Sequence, residues 1–157
     1  LVEDGLGSSE ASELLCRAIF ALDVYQVLCG CDMVVASLNG RVPDEGTVSE
    51  VAMAWARGRP VVGYKSDSRS LLGGEDNPLL TGLFDFHLCG TLEEAVDGAC
   101  AFREDIEKGK RFSVKREEDL AFSVALGKRI WERLQENEDL REVVKLIANS
   151  LAEPLAK

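Results

Sequence analysis

An apolar run from Met33 to Leu38 is followed by a loop of turn-forming residues, 39–50, and then by a stretch with helical character, 51–56. A near-continuous apolar run of this length predicts a buried strand that is covered on both faces. The loop therefore joins the carboxyl end of a strand to the beginning of a helix. Because ligands bind at that edge of open α/β sheets, the loop is where we expect a site.

The rest of the chain alternates between helical and strand patterns. The order strand–helix–strand–loop–strand–helix implies right-handed crossovers and a parallel sheet. We therefore expect an α/β fold of the Rossmann-like (flavodoxin-like) type, a parallel sheet flanked by helices, followed by a C-terminal helical appendage. The predicted helices are 9–28, one ending near 57, 79–83, 91–108, 116–135 and 138–152, and the predicted strands are 32–38, 60–65 and 86–89.

Length and charge limit the possible partners. A chain of 157 residues can bury one hydrophobic core, which we place in domain 1–112, with 113–157 forming helices that pack on it or on a second subunit. The formal net charge of −10 disfavours nucleic acid polymers and anionic membranes as partners. No apolar run approaches the ~18 residues that span a bilayer, and no signal-peptide pattern is visible.

The cysteines indicate a reducing compartment. The chain has five, an odd number, and they stand among apolar residues, so we expect buried thiols in a cytoplasmic protein. The pair Cys29-Gly-Cys31 has no second cysteine pair to complete a zinc site, and the chain has one histidine. We therefore expect no metal ion, and we also expect no cofactor.

Two carboxylates of the loop, Asp44 and Glu50, are placed to act together. They lie six residues apart, Asp44 in the loop and Glu50 in the first helical turn, so both can face one crevice. Such a pair can perform glycosidic chemistry, in which one carboxylate attacks carbon or stabilises a cation and the other handles a proton. A structural alternative stays open, because Thr47-Val-Ser-Glu50 is also a capping box and Gly46 suits a turn with positive φ.

The pattern D-x-G-T-x-x-E runs from Asp44 to Glu50 and follows an Asn-Gly turn. Together with two later segments, Gly58-Arg-Pro-Val-Val-Gly-Tyr-Lys65 and Asp67-Ser-Arg69, it resembles the nucleoside 2-deoxyribosyltransferase family over residues from about 20 to 90. The resemblance implies an enzyme that cleaves the N-glycosidic bond of 2′-deoxynucleosides and transfers the deoxyribosyl group to another base in nucleotide salvage.

The resemblance also implies roles for three carboxylates. Glu50 corresponds to the nucleophile, which attacks C1′ and holds the sugar as a covalent ester until another base, or water, accepts it. Asp44 corresponds to an aspartate that meets the nucleobase and helps to protonate the leaving nitrogen. This role needs a raised pKa, which we expect the neighbouring carboxylate to cause. Asp23 corresponds to a second aspartate, on the preceding helix, with a surface or helix-capping acid as the alternative.

Further substrate-binding residues follow from the same resemblance. The backbone at Asn39 and Gly40 would flank the sugar, with Gly46 in the same loop, although a plain turn also explains Asn39-Gly40. Arg69 would bind a phosphate or contact a neighbouring subunit, unless it is simply solvated. The loop with Asn77 would reach an adjacent active site in a homo-oligomer, and an Asx-Pro turn is the alternative there.

The expected partners are small molecules, a nucleoside or deoxynucleotide and a free nucleobase. Three other functions stay open. One is an N-hydrolase of 2′-deoxynucleoside 5′-phosphates or another nucleotide N-glycosidase. Another is a phosphoribohydrolase similar to the lysine decarboxylase-like family, whose motif begins Pro-Gly-Gly where this chain has Pro43-Asp-Glu. The last is a non-catalytic nucleotide-binding module. The family's N-terminal strand and aromatic loop have no counterpart before Ser9, so we expect that strand to be missing from domain 1–112.

Overall fold

The computed structural model describes residues 7–69, 76–136 and 139–152. Most predicted elements are present, with shifted ends. In chain order they are helix α1 (Ser8–Tyr25), strand β1 (Val34–Ser37), helix α2 (Glu45–Ala56), strand β2 (Val61–Tyr64), helix α3 (Pro78–Thr81), helix α4 (Leu92–Glu107), helix α5 (Phe112–Gln135) and helix α6 (Leu140–Ala152). A π-helical turn, Gln26–Gly30, extends α1, and a 3₁₀ turn, Gly82–Phe84, extends α3.

The sheet has two strands within the described ranges, and β1 pairs with β2 in parallel along its whole length. The third predicted strand, 86–89, is wrong, because Cys89 makes only an isolated parallel bridge to Tyr64. Asp85 and Phe86 have left-handed φ angles of 53° and 60°, which interrupt an extended backbone just before that bridge. The described residues form a helix-rich α/β structure with a small parallel sheet, and a full Rossmann-like sheet is not confirmed.

The hydrophobic core lies between the sheet and helix α2. Side chains from β1, α2, β2 and the α3 region form one buried cluster, and a second cluster joins β2 to α4. β2 is therefore covered on both faces. Ala36 of β1 and Leu38, directly after the strand, belong to the core, but Val35 is 53% exposed. The prediction that both faces of the first strand are covered is wrong, because no element within the described ranges packs over the face with Val35.

Helix α1 presents an exposed apolar face. The large apolar side chains of the predicted stripe are all at least 44% exposed, and the residue that α1 buries is Ala11. This apolar area remains in contact with solvent in the single chain. The stripe, called here the α1 face, consists of Leu14, Leu15, Ala18, Ile19, Leu22 and Tyr25.

The cysteines are less buried than the sequence predicts. Cys89 is buried against α4 and Cys31 is half-buried, but Cys16, Cys29 and Cys100 are exposed. The expectation of buried thiols is wrong for these three. They lie on faces of α1, its π-helical extension and α4 that turn towards solvent rather than towards the sheet.

The chain divides into two compact units, Leu1–Ser113 and Val114–Lys157. The second unit contains α6 and all but the first two residues of α5. Within its described part Val143 is buried, whereas Val124 and Trp131 are more than 60% exposed. Residue 138, where the sequence predicts the last helix to begin, lies outside the described residues. No helix in the described ranges is long and apolar enough to cross a bilayer.

Candidate active site

Asp44 is the N-cap of helix α2. Its Oδ2 accepts hydrogen bonds from the backbone N–H of Thr47 at 2.8 Å and from the Thr47 hydroxyl at 3.2 Å. A carboxylate in this position satisfies an otherwise unpaired N–H and complements the positive end of the helix dipole. The N-cap is therefore three residues earlier than the Thr47-Val-Ser-Glu50 capping box requires, and that interpretation of the motif is wrong.

Glu50 lies in the second turn of α2, and not in the first as predicted, because the helix begins at Glu45. The residue is half-buried. The N–H of Thr47, which a capping glutamate would bind, is already bonded to Asp44. Within the described part of the chain, the Glu50 side chain has no hydrogen bond or ion pair. The structure thus leaves its carboxylate available for a ligand.

A variant of the capping box, with the glutamate bonded one residue before the N-cap Thr91, forms at the start of α4. The Thr91 hydroxyl accepts a hydrogen bond from the Glu94 N–H at 3.1 Å, and the Glu94 carboxylate accepts one from the Gly90 N–H at 2.7 Å. Both side chains are used by the helix terminus, as a structural role requires. Two motifs of the same spacing therefore differ in structure, and Glu50 is the glutamate without a capping role.

The electrostatics of Asp44 are the reverse of the prediction. The hydrogen bond from the Thr47 backbone N–H, followed by the one from the Thr47 hydroxyl, lowers the pKa of Asp44 below its ordinary value of 3.8. A raised pKa does not occur because Glu50 is not beside it, being about 9 Å further along the helix axis at 1.5 Å per residue. Asp44 is therefore ionised at neutral pH in the ligand-free protein.

Gly46 has a steric role instead of the predicted positive φ. It lies inside α2 and is not among the glycines with positive φ in the described structure. A Cβ at this position would stand 3.0 Å from Oδ2 of Asp44, which is closer than ordinary van der Waals contact. The glycine therefore leaves room for the carboxylate that caps the helix.

Asn39 connects the loops that follow β1 and β2. Its Oδ1 accepts hydrogen bonds from the backbone N–H groups of Ser66 at 2.9 Å and Asp67 at 3.0 Å. The next residue, Gly40, has φ 115°, and its N–H donates to Asp67 Oδ2 at 3.2 Å. The Asn-Gly pair thus forms a bend, and its polar groups fix the position of a second loop at the same edge of the sheet.

Asp67 belongs to this edge too, and the sequence gives it no role beyond its place in the Asp67-Ser-Arg69 segment. Both of its carboxylate oxygens accept from Arg69 Nε at 2.9 Å, and Arg69 holds the pKa of Asp67 well below its usual range. Arg69 is consequently engaged in an ion pair rather than simply solvated. The signal that could have found this pair is an acid and an arginine two residues apart directly after a strand.

A buried ion pair connects the end of β2 to the start of α3. The Lys65 ammonium contacts the Asp76 carboxylate, and their side chains are only 7% and 12% exposed. Asn77 is the N-cap of α3, with Oδ1 accepting from the Leu79 N–H at 2.9 Å, which supports the structural alternative for this residue. Residues 73–75 of the loop that we expect near a neighbouring subunit lie outside the described residues.

Asp23 is exposed and lies on α1, three residues before the π-helical turn. Its side chain makes no hydrogen bond or ion pair with another described residue, so its assignment as a second substrate-binding acid stays a prediction. Across the described ranges, no three His, Cys, Asp or Glu side chains are grouped so that they could hold a metal ion.

At the carboxyl edge of this parallel sheet lie Asp44 and Glu50 of the α2 segment and two loops that Asn39 and Asp67 connect by hydrogen bonds. This arrangement is suited to a small-molecule site.

Residues 4–111 match the family model of nucleoside 2-deoxyribosyltransferases. Since this is more than half of the chain, the protein belongs to the nucleoside 2-deoxyribosyltransferase family, which confirms the resemblance. Membership implies a glycosyl-transferring enzyme with nucleosides and nucleobases as partners. No curated protein matches the chain significantly.

Proposed function

We propose that the protein cleaves the N-glycosidic bond of 2′-deoxynucleosides and transfers the deoxyribosyl group to another base, with Glu50 as the nucleophile. The observation that carries this proposal is the half-buried Glu50, which has no hydrogen bond or ion pair to another described residue. Withdrawing a charged group from water without a partner costs free energy, so a role in binding or chemistry explains Glu50 better than a role in folding. A carboxylate also suits the oxocarbenium-like state of glycosidic cleavage.

In the first step, a Glu50 oxygen forms a bond to C1′ of the sugar as the bond between C1′ and the base nitrogen breaks. The bonding electrons leave with the base, which takes up a proton and becomes neutral. In the second step, a nitrogen of the incoming base attacks C1′, the ester bond to Glu50 breaks, and the incoming base releases a proton. The net reaction exchanges one base for another and consumes no proton.

We place Asp44 at the nucleobase and not at the sugar. Its separation from Glu50, about 9 Å along the helix axis, matches two groups that serve different parts of one nucleoside. Because its pKa is lowered, Asp44 is an acceptor in the free protein and can bind an N–H group of the base. From that position it can pass a proton from water to the leaving nitrogen. Both Thr47 bonds use Oδ2, so the other oxygen can face the base.

The loop after β2 favours an unphosphorylated nucleoside over a nucleotide. Arg69, which the sequence suggests as a phosphate ligand, is paired with both carboxylate oxygens of Asp67. The loop after β2 therefore presents a neutral ion pair instead of an uncompensated positive charge, and a dianionic 5′-phosphate would have to compete with Asp67 for the guanidinium. Asn39 and Gly40, held against this loop, are placed to flank the sugar.

The proposed function is tested by incubating the protein with deoxyinosine and adenine and separating the products by chromatography. We expect deoxyadenosine and hypoxanthine in equal amounts. Hypoxanthine and free deoxyribose without deoxyadenosine would instead identify a hydrolase. Binding of deoxyinosine with no product would identify the non-catalytic module. The variant Glu50→Gln removes the carboxylate of the proposed nucleophile. Its matched control is Glu45→Gln, which removes a carboxylate from the same helix at an exposed position.

We also propose that the active protein is a homo-oligomer. The support is the extent of apolar surface that the single chain leaves exposed, both on the α1 face and, within the second unit, at Val124 and Trp131. Large exposed apolar patches are uncommon on monomers and mark interaction surfaces.

A further inference from the structure

A cavity of about 350 Å³ lies at the amino edge of the sheet. Its lining includes Asp32 and Arg59, which come just before β1 and β2, and the segment that follows α4. Since the two strands are parallel, this edge is opposite to the one that carries Asp44 and Glu50. Four strand residues at about 3.3 Å each separate the two edges by roughly 13 Å. The cavity is therefore distinct from the candidate active site.

The lining of this cavity is strongly cationic in a chain with a net charge of −10. It includes Arg57, Arg59, Lys110 and Arg111, against the single carboxylate of Asp32. Lys110 is compensated by Asp105, 2.7 Å from its ammonium. The side chains of Arg57 and Arg111 form no ion pair with any residue that the structure describes. The cavity thus concentrates positive charge that the described residues do not neutralise.

The geometry of the cavity is held in place by backbone contacts. Arg59 is half-buried, and its Nη2 donates to the Leu28 carbonyl at 2.6 Å, which fixes the plane of the guanidinium. At Gly58, with φ 69°, a Cβ would stand 2.5 Å from the Ser113 Cα. The two walls of the cavity therefore meet without space for a side chain. A fixed guanidinium loses little conformational freedom when it binds an anion.

We propose that this cavity binds a small molecule that carries a phosphate or polyphosphate group. Guanidinium groups match phosphate oxygens with paired, charge-assisted hydrogen bonds, and three arginines can surround one such group. The volume lies within the range of small-molecule sites, which favours a metabolite over an extended acidic peptide. The ligand is not the nucleoside of the proposed reaction, because it occupies the other edge of the sheet, and the inference does not depend on that reaction.

The test is calorimetric titration of the full chain with pyrophosphate and, separately, with adenosine diphosphate, which shows whether an organic group adds affinity. We expect the wild type to bind, and we expect the affinity of the double variant R57Q/R111Q to be lower by about tenfold or more. The reason is that a hydrogen bond to a charged group contributes more binding free energy than a neutral one. Thermal unfolding without ligand should be the same for both proteins, because neither arginine loses an ion pair with a residue that the structure describes.

Two control variants separate this site from other cationic surfaces. R17Q/R103Q removes the same charge from exposed positions on α1 and α4, and R41Q/R69Q removes it from the carboxyl edge. Both should keep the affinity of the wild type. The proposal is overturned if the wild type binds neither probe, if all three double variants weaken equally, or if only R41Q/R69Q loses binding.

Discussion

Oδ2 of Asp44 and the backbone N–H of Thr47 lie 2.8 Å apart, in the hydrogen bond that caps helix α2. Through this contact Asp44 binds the Thr47 N–H, which Glu50 would bind if the motif formed a capping box. Glu50 is thereby left in the second turn, half-buried and without a hydrogen bond or ion pair in the described structure. The cap and the proposed nucleophile are thus two different residues of one motif, and substitutions can separate their effects.

Asp44 should show both a structural and a chemical effect. Asn is also a good N-cap, so Asp44→Asn is expected to keep the stability of the wild type, whereas Asp44→Ala should lower the free energy of unfolding. Asn cannot pass a proton, so Asp44→Asn should slow natural bases more than an activated aryl leaving group. Urea unfolding and turnover of both substrate types measure the two effects. Equal losses for both leaving groups would contradict a role in proton transfer.

The pH dependence of stability should report on Asp67. Its pKa is lowered in the folded protein by Arg69, so its contribution to stability is present above the unfolded value of about 3.8 and is lost as the pH falls below it. From about pH 5 to about pH 2.5, the wild type should therefore lose more stability than Asp67→Asn. Urea midpoints at the two pH values measure this. Parallel losses in both proteins would show that the ion pair contributes nothing.

The buried pair of Lys65 and Asp76 should be the costliest contact to break at this edge. Asp76→Asn leaves a buried ammonium without its counter-ion, and we expect a loss of about 3 kcal/mol in the free energy of unfolding. The matched control is Glu107→Gln, which breaks an exposed pair with Arg103 and should cost at most about 1 kcal/mol. Denaturant unfolding measures both. Similar costs for the two variants would mean that the Lys65 pair is effectively solvated.

The proposed homo-oligomer should be visible by light scattering at micromolar concentration. Two variants each place a charge on an exposed apolar surface: Ile19→Lys on the α1 face and Trp131→Lys in the second unit. The variant whose charge lies in the subunit interface should shift the protein towards monomer. Ser12→Lys, at an exposed polar position of α1, is the control and should keep the wild-type mass. A stable wild-type monomer with full activity would remove the proposal.

The sequence predicts the β1–α2–β2 arrangement well, because the apolar runs and the intervening helix have strong local patterns. It does not decide the N-cap of α2, since Asp44 and Thr47 are both favourable N-cap residues and only the backbone angles distinguish them. The third strand is predicted wrongly because its apolar composition does not reveal the left-handed backbone at Asp85 and Phe86.

Long-range contacts at the candidate site were also beyond local sequence patterns. Asn39 and Asp67 are 28 residues apart, and their hydrogen bond depends on two strands ending at the same edge. The raised pKa expected for Asp44 fails for a related reason: two acidic residues close in sequence are separated by the rise of the helix. That Glu50 does not cap the helix becomes evident only from the structure, in which the Thr47 N–H is bonded to Asp44.

The central claim, that Glu50 is the nucleophile, is tested most directly by trapping the covalent sugar ester. The protein is incubated with a 2′-fluoro-arabino nucleoside, digested, and analysed by mass spectrometry. We predict a fluorosugar adduct on the peptide that contains Glu50, no adduct in Glu50→Gln, and turnover of deoxyinosine lower by about four orders of magnitude in that variant. Glu45→Gln should label and turn over like the wild type. An adduct on another residue, or wild-type turnover in Glu50→Gln, would contradict the assignment.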